Sequence, residues 1–135
     1  MHVLFLCVAN SARSQIAEGL ARHMGPKHIT FSSAGSEPTS VRPLAIEAMA
    51  EEGIDIGSHS STAVTNIDLS TVDCVITLCD DEVCPVIPAA TTRLHWPTAD
   101  PAGYEHESHQ SQLQRFRVAR EAIREKLQRF FEQQG

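Results

Sequence analysis

A chain of 135 residues with 41% hydrophobic and 21% charged residues is sized for one globular domain with an ordinary core, so a single domain over residues 1–135 is expected. Its formal charge of −6 argues against nucleic acid or an anionic membrane surface as a general partner, and any anionic substrate must therefore be caught locally. The longest apolar run is too short to span a bilayer and no signal-peptide pattern opens the chain, so a cytoplasmic protein is expected, and a monomer.

The first apolar run, residues 3–6, reads as a buried strand, and Ile16, Ala17, Leu20, Ala21 and Met24 mark a helical stripe soon after it. Between them lies Cys7-Val8-Ala9-Asn10-Ser11-Ala12-Arg13-Ser14, a strand-to-helix turn. Backbone N–H groups in such a turn, with a helix N-terminus behind them, converge on one point and suit an oxyanion. A Cys followed by five residues, an Arg and a hydroxyl places a sulfur inside that ring. The same donors, with Arg13 and Ser14, lower a thiol pKa into the range of roughly 3.5 to 7.5. Cys7 is thus the candidate nucleophile, and Val8, Ala9, Asn10, Ser11, Ala12, Arg13 and Ser14 are the candidate oxyanion ligands.

Gly25-Pro26 stops the first helix and residues 28–33 form a second strand ending at Ala34-Gly35. Pro43 opens a helix that buries Leu44, Ala45, Ala48 and Met49 and ends at Gly53. Residues 54–61 read as a polar connection, and residues 65–68 as a short helical turn. Residues 72–79 are the most strand-like segment and stop at Asp80-Asp81; residues 91–96 give a fourth strand. A loop over residues 97–105 leads to a long helix at residues 112–133, with Leu113, Phe116, Ile123, Leu127 and Phe130 inward. Strand alternating with helix predicts an α/β fold: a four-stranded parallel sheet of flavodoxin-like order 2-1-3-4 with helices on both faces. In that order the strand ending in Cys79 lies about 4.8 Å from the one ending in Cys7, so two cysteines face one site.

Four cysteines in a reducing compartment point to catalysis, redox or metal binding before structural disulfides. Zinc wants four ligands in paired spacing, which Cys79-Asp80-Asp81-Glu82-Val83-Cys84 lacks, so no metal is expected. Cys74 fits inert packing in mid-strand. Cys79 and Cys84 flank an acidic segment at the mouth of the sheet, where thiol exchange suits them. His106-Glu107-Ser108-His109 reads as a solvated helix start. Asp100, before Pro101, emerges on the same edge as Cys7; a carboxylic acid there can protonate an oxygen leaving a bound oxyanion, but the spacing alone fits an ordinary turn equally well.

These stretches, together with Gln15-Ile16-Ala17-Glu18-Gly19, Ser33-Ala34-Gly35, Gly53-Ile54-Asp55-Ile56 and Asp100-Pro101-Ala102-Gly103, resemble the thioredoxin-coupled arsenate reductases over nearly the whole chain. That family shares its fold and oxyanion loop with low-molecular-weight protein tyrosine phosphatases, the alternative reading, in which water resolves a Cys7 phospho-enzyme. Gln15 in place of the phosphatases' usual Pro, Ala102-Gly103 in place of aromatics, and the second cysteine pair favour the reductase. The resemblance implies that Cys7 is the nucleophile, Arg13 and the loop hold arsenate, Asp100 donates the proton, and Cys79 and Cys84 form a redox disulfide. It also implies thioredoxin as electron donor, no bound cofactor, phosphate and sulfate as competing anions, and at most weak phosphatase activity. Two departures stand out: only four residues separate Cys79 from Cys84, fewer than in the best-known members, and Ala12 replaces a loop cysteine that the relay does not require.

Overall fold

Residues 3–6 carry no polar side chain and are fully or almost fully buried, which places their strand in the middle of the sheet. A computed structural model describes residues 1–79 and 91–134. Strand β1 (His2–Cys7) lies between β2 (Thr30–Gly35) and β3 (Cys74–Thr77), and β4 (Thr92–His95) lies outside β3, all parallel in the order β2-β1-β3-β4. The register pairs Cys7 with Gly35 and Leu6 with Thr77, so β1, β2 and β3 end together at one edge. Beyond β3 the pairing runs on, with Leu78 N donating to Leu6 O at 3.0 Å.

Alternation along the strands sorts the core into two layers. Val3, Phe5, Phe31, Cys74 and Ile76 face α1 (Arg13–Met24) and α3 (His109–Gln134), meeting Ile16, Leu20, Phe116, Ile123 and Leu127. Leu4, Leu6, Ala34 and Val75 face the other way. Helix α2 (Pro43–Ala50) packs on α1 and α3 and not on the strands. It comes close because position 19 of α1 is Gly: a Cβ there would stand 2.8 Å from Ile56 Cγ2 and 3.0 Å from Met49 Cε.

Helices were expected on both faces of the sheet; among the described residues the three α-helices share one side. The second face is closed by two 3-10 turns, Val64–Asn66 and Leu69–Thr71, whose Val64, Ile67 and Leu69 cover Leu4, Leu6 and Val75. The connection into β3 supplies too few apolar residues for more. Residues 54–61 are less polar than they read, since Ile54 and Ile56 belong to the main core. Helix α3 starts three residues early, at His109, where Ser108 Oγ accepts from Ser111 N at 3.1 Å and Glu107 takes both Nε and Nη2 of Arg115 at 2.8 and 2.6 Å. Cys74, expected in mid-strand, is buried at the first position of β3, and burial pushes its thiol up to about 11, in keeping with a packing residue. No described helix is long and apolar enough to cross a membrane.

The far end of α2 is tied to α3 by charge. Arg120 donates to Ala48 O at 2.7 Å and to Glu51 Oε1 at 3.0 Å, Arg117 forks onto Glu51 at 2.9 and 2.5 Å, and Arg124 holds Glu52 at 2.5 Å. The Arg117 guanidinium, with Arg120, holds the Glu51 carboxyl down to about 2. Because this folded value lies below the ordinary 4.5, the pairing stabilises the fold fully above about pH 4.5 and ceases to do so as pH falls toward 2. Glu51→Gln should therefore unfold at lower urea than the parent protein at pH 7, and the gap should close near pH 2. A gap of equal size at both pH values would show that the carboxylate charge is not what ties α2 to α3.

Candidate active site

The loop from Cys7 to Ser14 owes its shape to donors that pull its carbonyls outward. Val8 O accepts from Glu37 N at 2.8 Å, Ala9 O from Thr39 N at 3.1 Å, Asn10 O from Ser61 Oγ at 2.8 Å, and Ser11 O from Arg42 N at 2.8 Å. A trans peptide points its N–H opposite to its C=O, so the N–H groups of Ala9, Asn10, Ser11 and Ala12 turn inward, toward the Cys7 sulfur. Asn10 makes the reversal possible by adopting φ 49°, a left-handed conformation that Asn tolerates. Both ends of its amide are engaged: Oδ1 accepts from Thr62 N at 2.8 Å and Gln15 Nε2 at 3.0 Å, while Nδ2 donates to Ser14 Oγ at 2.7 Å. Ser14 Oγ, accepting that bond, is left to donate its hydrogen to Cys7 Sγ at 2.9 Å. Gly35, opposite Cys7, lets the loop lie against β2; a Cβ there would stand 2.7 Å from Cys7 O, 2.8 Å from Asn10 N and closer still to Val8 O.

Cys79 completes the pair of sulfurs. Both Cys7 and Cys79 are free and buried, and Cys79 Sγ accepts from Val8 N at 3.3 Å. The Cys79 thiol, donating to Cys7, together with Ser14 and the Asn10 N–H, lowers the Cys7 pKa from 9.0 to about 5 against the cost of burial. The same bond, burial and the Cys7 charge push the Cys79 thiol up. At neutral pH the pair therefore carries one negative charge, on Cys7, and one proton, on Cys79.

Arg13, the first residue of α1, donates Nη1 to Thr98 O at 2.9 Å and sets Nη2 3.6 Å from Asp100 Oδ2. Asp100 is half-exposed at the rim, its other oxygen accepting from Ala102 N at 2.9 Å. Cys7, the loop, Arg13, Asp100 and Cys79 thus converge at one edge of the sheet, while Cys84 and the acidic residues 80–82 lie outside the described residues. His106 and His109 part company: His109 opens α3 and meets Glu47 Oε2 at 2.9 Å, and His106 lies beside Tyr104. Among the described residues no group of His, Cys, Asp and Glu is arranged to hold a metal.

Sequence reasoning missed the residues behind the loop. Ser61 and Thr62 hold Asn10 from a segment read only as a connection, and the alternation Ile54-Asp55-Ile56 was the signal that this segment is anchored. Gln15 Oε1 accepts from His59 Nδ1 at 3.0 Å, which places the hydrogen on Nδ1; Glu18 lies beyond, bonded to Ser33 Oγ at 2.6 Å and paired with Arg22 at 3.0 Å.

Residues 2–134 match the family model described as low molecular weight phosphotyrosine protein phosphatase. Among curated proteins the chain is 42% identical over 132 residues to arsenate reductase 2 of Staphylococcus saprophyticus, covering 96% of this chain and 95% of that one. Among solved structures it is similar to an arsenate reductase in a phosphate-binding state, with a TM-score of 0.82, 33% identity, and coverage of 98% of this chain and 97% of the other. It is also similar to a thioredoxin-dependent arsenate reductase of Corynebacterium glutamicum, with a TM-score of 0.67 and 29% identity, covering 94% of this chain and 61% of that one.

The shared proton between the thiols has a direct readout. Alkylation of Cys7 by iodoacetamide should rise with pH about a midpoint near 5. In Cys79→Ala the midpoint should move up toward the ordinary thiol value, and further than in Ser14→Ala. Gly35→Ala should weaken oxyanion protection of Cys7, because the added Cβ would displace the loop backbone at Cys7, Val8 and Asn10. An unmoved midpoint in Cys79→Ala would remove Cys79 from the stabilisation of the thiolate.

Proposed function

The chain belongs to the low molecular weight phosphotyrosine protein phosphatase family, and from that premise we propose that it reduces arsenate to arsenite. The observation that carries this reading is a second buried, free thiol at the loop, Cys79, whose sulfur accepts from the N–H of Val8, the residue next to Cys7, at 3.3 Å. Water resolves the adduct of a phosphatase, which leaves a cysteine at that place without work; a reductase needs it there. The names of the similar proteins support the same assignment.

Arsenate is a tetrahedral oxyanion, and Arg13 grips it with two parallel charge-assisted hydrogen bonds inside the ring of loop N–H groups. The Cys7 thiolate attacks arsenic, and Asp100 protonates a departing oxygen, leaving a Cys7–arsenic bond. That step consumes the Cys7 charge. With it go the hydrogen bond and the repulsion that keep the proton on Cys79, while the Val8 N–H and the Arg13 charge, which favour the Cys79 thiolate, stay. Cys79 is therefore activated by the step that creates its target. It attacks the Cys7 sulfur, the sulfur–arsenic bond breaks, and its electron pair passes to arsenic, releasing arsenite and forming a Cys7–Cys79 disulfide. Cys84 then attacks Cys79, frees Cys7 and leaves a Cys79–Cys84 disulfide. An external dithiol reduces it; the family resemblance and the thioredoxin-dependent relative favour thioredoxin, and a compartment that keeps thiols reduced suits the cycle.

The order of the thiols is the test. Cys84→Ser should make about one arsenite per chain and stop with a trapped Cys7–Cys79 disulfide, found by peptide mapping, whereas Cys79→Ser should make almost none. Continued cycling without Cys84 would refute the three-thiol relay, and thioredoxin-independent turnover of an aryl phosphate exceeding arsenate reduction would favour the phosphatase. Arg13→Lys should lose most catalytic efficiency at low arsenate because the planar fork is gone. Asp100→Asn should keep arsenate binding and slow single-turnover formation of the adduct.

A further inference from the structure

The loop that carries Asp100, the proton donor of the proposed reaction, runs from the end of β4 to the start of α3 and is fixed at two places. The first lies beside the oxyanion loop. Trp96 N donates to Thr77 O at 2.8 Å and Thr98 N to Leu78 O at 2.9 Å, which carries the pairing past the end of β4, and Thr98 O accepts from Arg13 Nη1 at 2.9 Å. The second lies against α3, in the segment that reads in the sequence as a solvated helix start. There the Arg115 guanidinium lies over the Tyr104 ring, 3.5 Å from its centroid. Arg115 is held in that place, because Nε and Nη2 fork onto Glu107 at 2.8 and 2.6 Å. Glu107 is held in turn: its N–H donates to Tyr104 O at 2.9 Å, its carbonyl accepts from Gln112 Nε2 at 2.8 Å, and Oε1 accepts from Ser111 Oγ at 3.0 Å. Arg115 holds the Glu107 carboxyl down to about 2, so this clamp stays charged wherever Cys7 is a thiolate.

Between the two anchors the loop has little to rest on. Among the described residues, 99–103 make no backbone–backbone hydrogen bond, and the span is braced within itself by Ala102 N donating to Asp100 Oδ1 at 2.9 Å. Beneath it lies a cavity of about 300 Å³, walled by Asp100, Pro101 and Tyr104 on the loop and by Arg115, Val118 and Ala119 on α3. Arg13 Nη2, 3.6 Å from Asp100 Oδ2, is too far for a hydrogen bond that would hold the carboxylate. The place of Asp100 therefore depends on both anchors, and only the first touches the oxyanion loop.

We propose that Arg115 is a positioning residue for the proton donor: by clamping Tyr104 to α3 it fixes the outer anchor of this loop and so keeps Asp100 beside Arg13. The assignment deepens the reading above and rests on it for the role of Asp100. An arginine suits the task because a planar guanidinium stacks on a ring while its edge forks onto a carboxylate, which an ammonium cannot do. The inner anchor, and with it the grip of Arg13, does not pass through Arg115. Loss of the clamp should thus displace the acid and leave the anion loop as it is.

Two measurements on the full-length protein separate these effects. Protection of Cys7 from iodoacetamide by inorganic phosphate reads the anion loop, and single-turnover formation of the Cys7 adduct with arsenate reads the step that Asp100 serves. Arg115→Ala should keep phosphate protection within about twofold and slow adduct formation roughly threefold to tenfold, the population shift expected when a cation–π contact and a forked ion pair are lost together. Tyr104→Ala should match it, Tyr104→Phe, which keeps the ring, should stay near the parent, and Arg115→Lys should fall between. In an Asp100→Asn background Arg115→Ala should slow the step no further, because the group it positions is gone. Parent rates in Arg115→Ala would overturn the proposal, as would a slowing of equal size in the Asp100→Asn background. A parallel loss of phosphate protection would overturn it too, since the clamp would then support the whole site and not the acid. Parent rates in Asp100→Asn would instead remove Asp100 as the proton donor, the premise of the proposal, whatever the clamp does.

Discussion

Everything at this site depends on four peptide units that face the wrong way for an ordinary strand-to-helix turn. Their carbonyls are bound from two segments, residues 37–42 and Ser61, which turns their N–H groups to the other side of the loop, where the Asn10 N–H reaches the sulfur. No single contact enforces this. Asn10 must accept a left-handed φ, Gly35 must leave room where any Cβ would meet the loop, and the anchored segment after Ile56 must deliver Ser61 and Thr62 to the right depth. Such a ring is costly to assemble and cheap to use, because its dipoles are already oriented when an anion arrives.

The second dependence runs between the sulfurs. A lone thiol in this ring would ionise, as in a phosphatase; a second thiol in contact with it gains nothing by ionising as well, because two like charges side by side repel. The pair therefore settles into one thiolate and one donor, and the assignment follows from the loop, which favours charge on Cys7. In the proposed relay, a pair that titrates together would also set an order of events, with the second thiol held protonated until the first has reacted.

Much of this was legible in the residues. The strand-loop-helix around Cys7 and the parallel sheet follow from apolar periodicity and from right-handed crossovers, and the flavodoxin-like order expected for such a sheet, which the structure has, puts Cys79 beside Cys7. What periodicity could not show was the layering. Whether α2 covers a sheet face or a helix pair depends on Gly19 and on Ile54 and Ile56, a long-range fit between positions that no local pattern links. The supports of the loop were hidden for the same reason: Ser61 and Thr62 look like any polar linker until the backbone they hold is known to be reversed.

In the relay we propose, the loop that lowers the Cys7 pKa would also make it the better leaving group, and this would give the relay its direction. In a Cys7–Cys79 disulfide an incoming thiolate can strike either sulfur, and the faster attack expels the thiol of lower pKa. The ring of donors and Ser14 stabilise charge on Cys7, while Cys79 has the Val8 N–H and a distant Arg13. Attack on Cys79 with departure of Cys7 is therefore the downhill branch, and it returns the nucleophile to its starting state with the loop still in place. Attack on Cys7 would instead expel a thiolate into a site that resists it. In the proposed cycle, a loop that stabilises one thiolate and a second thiol just past the end of the adjacent strand would together suffice for a one-way transfer of electrons.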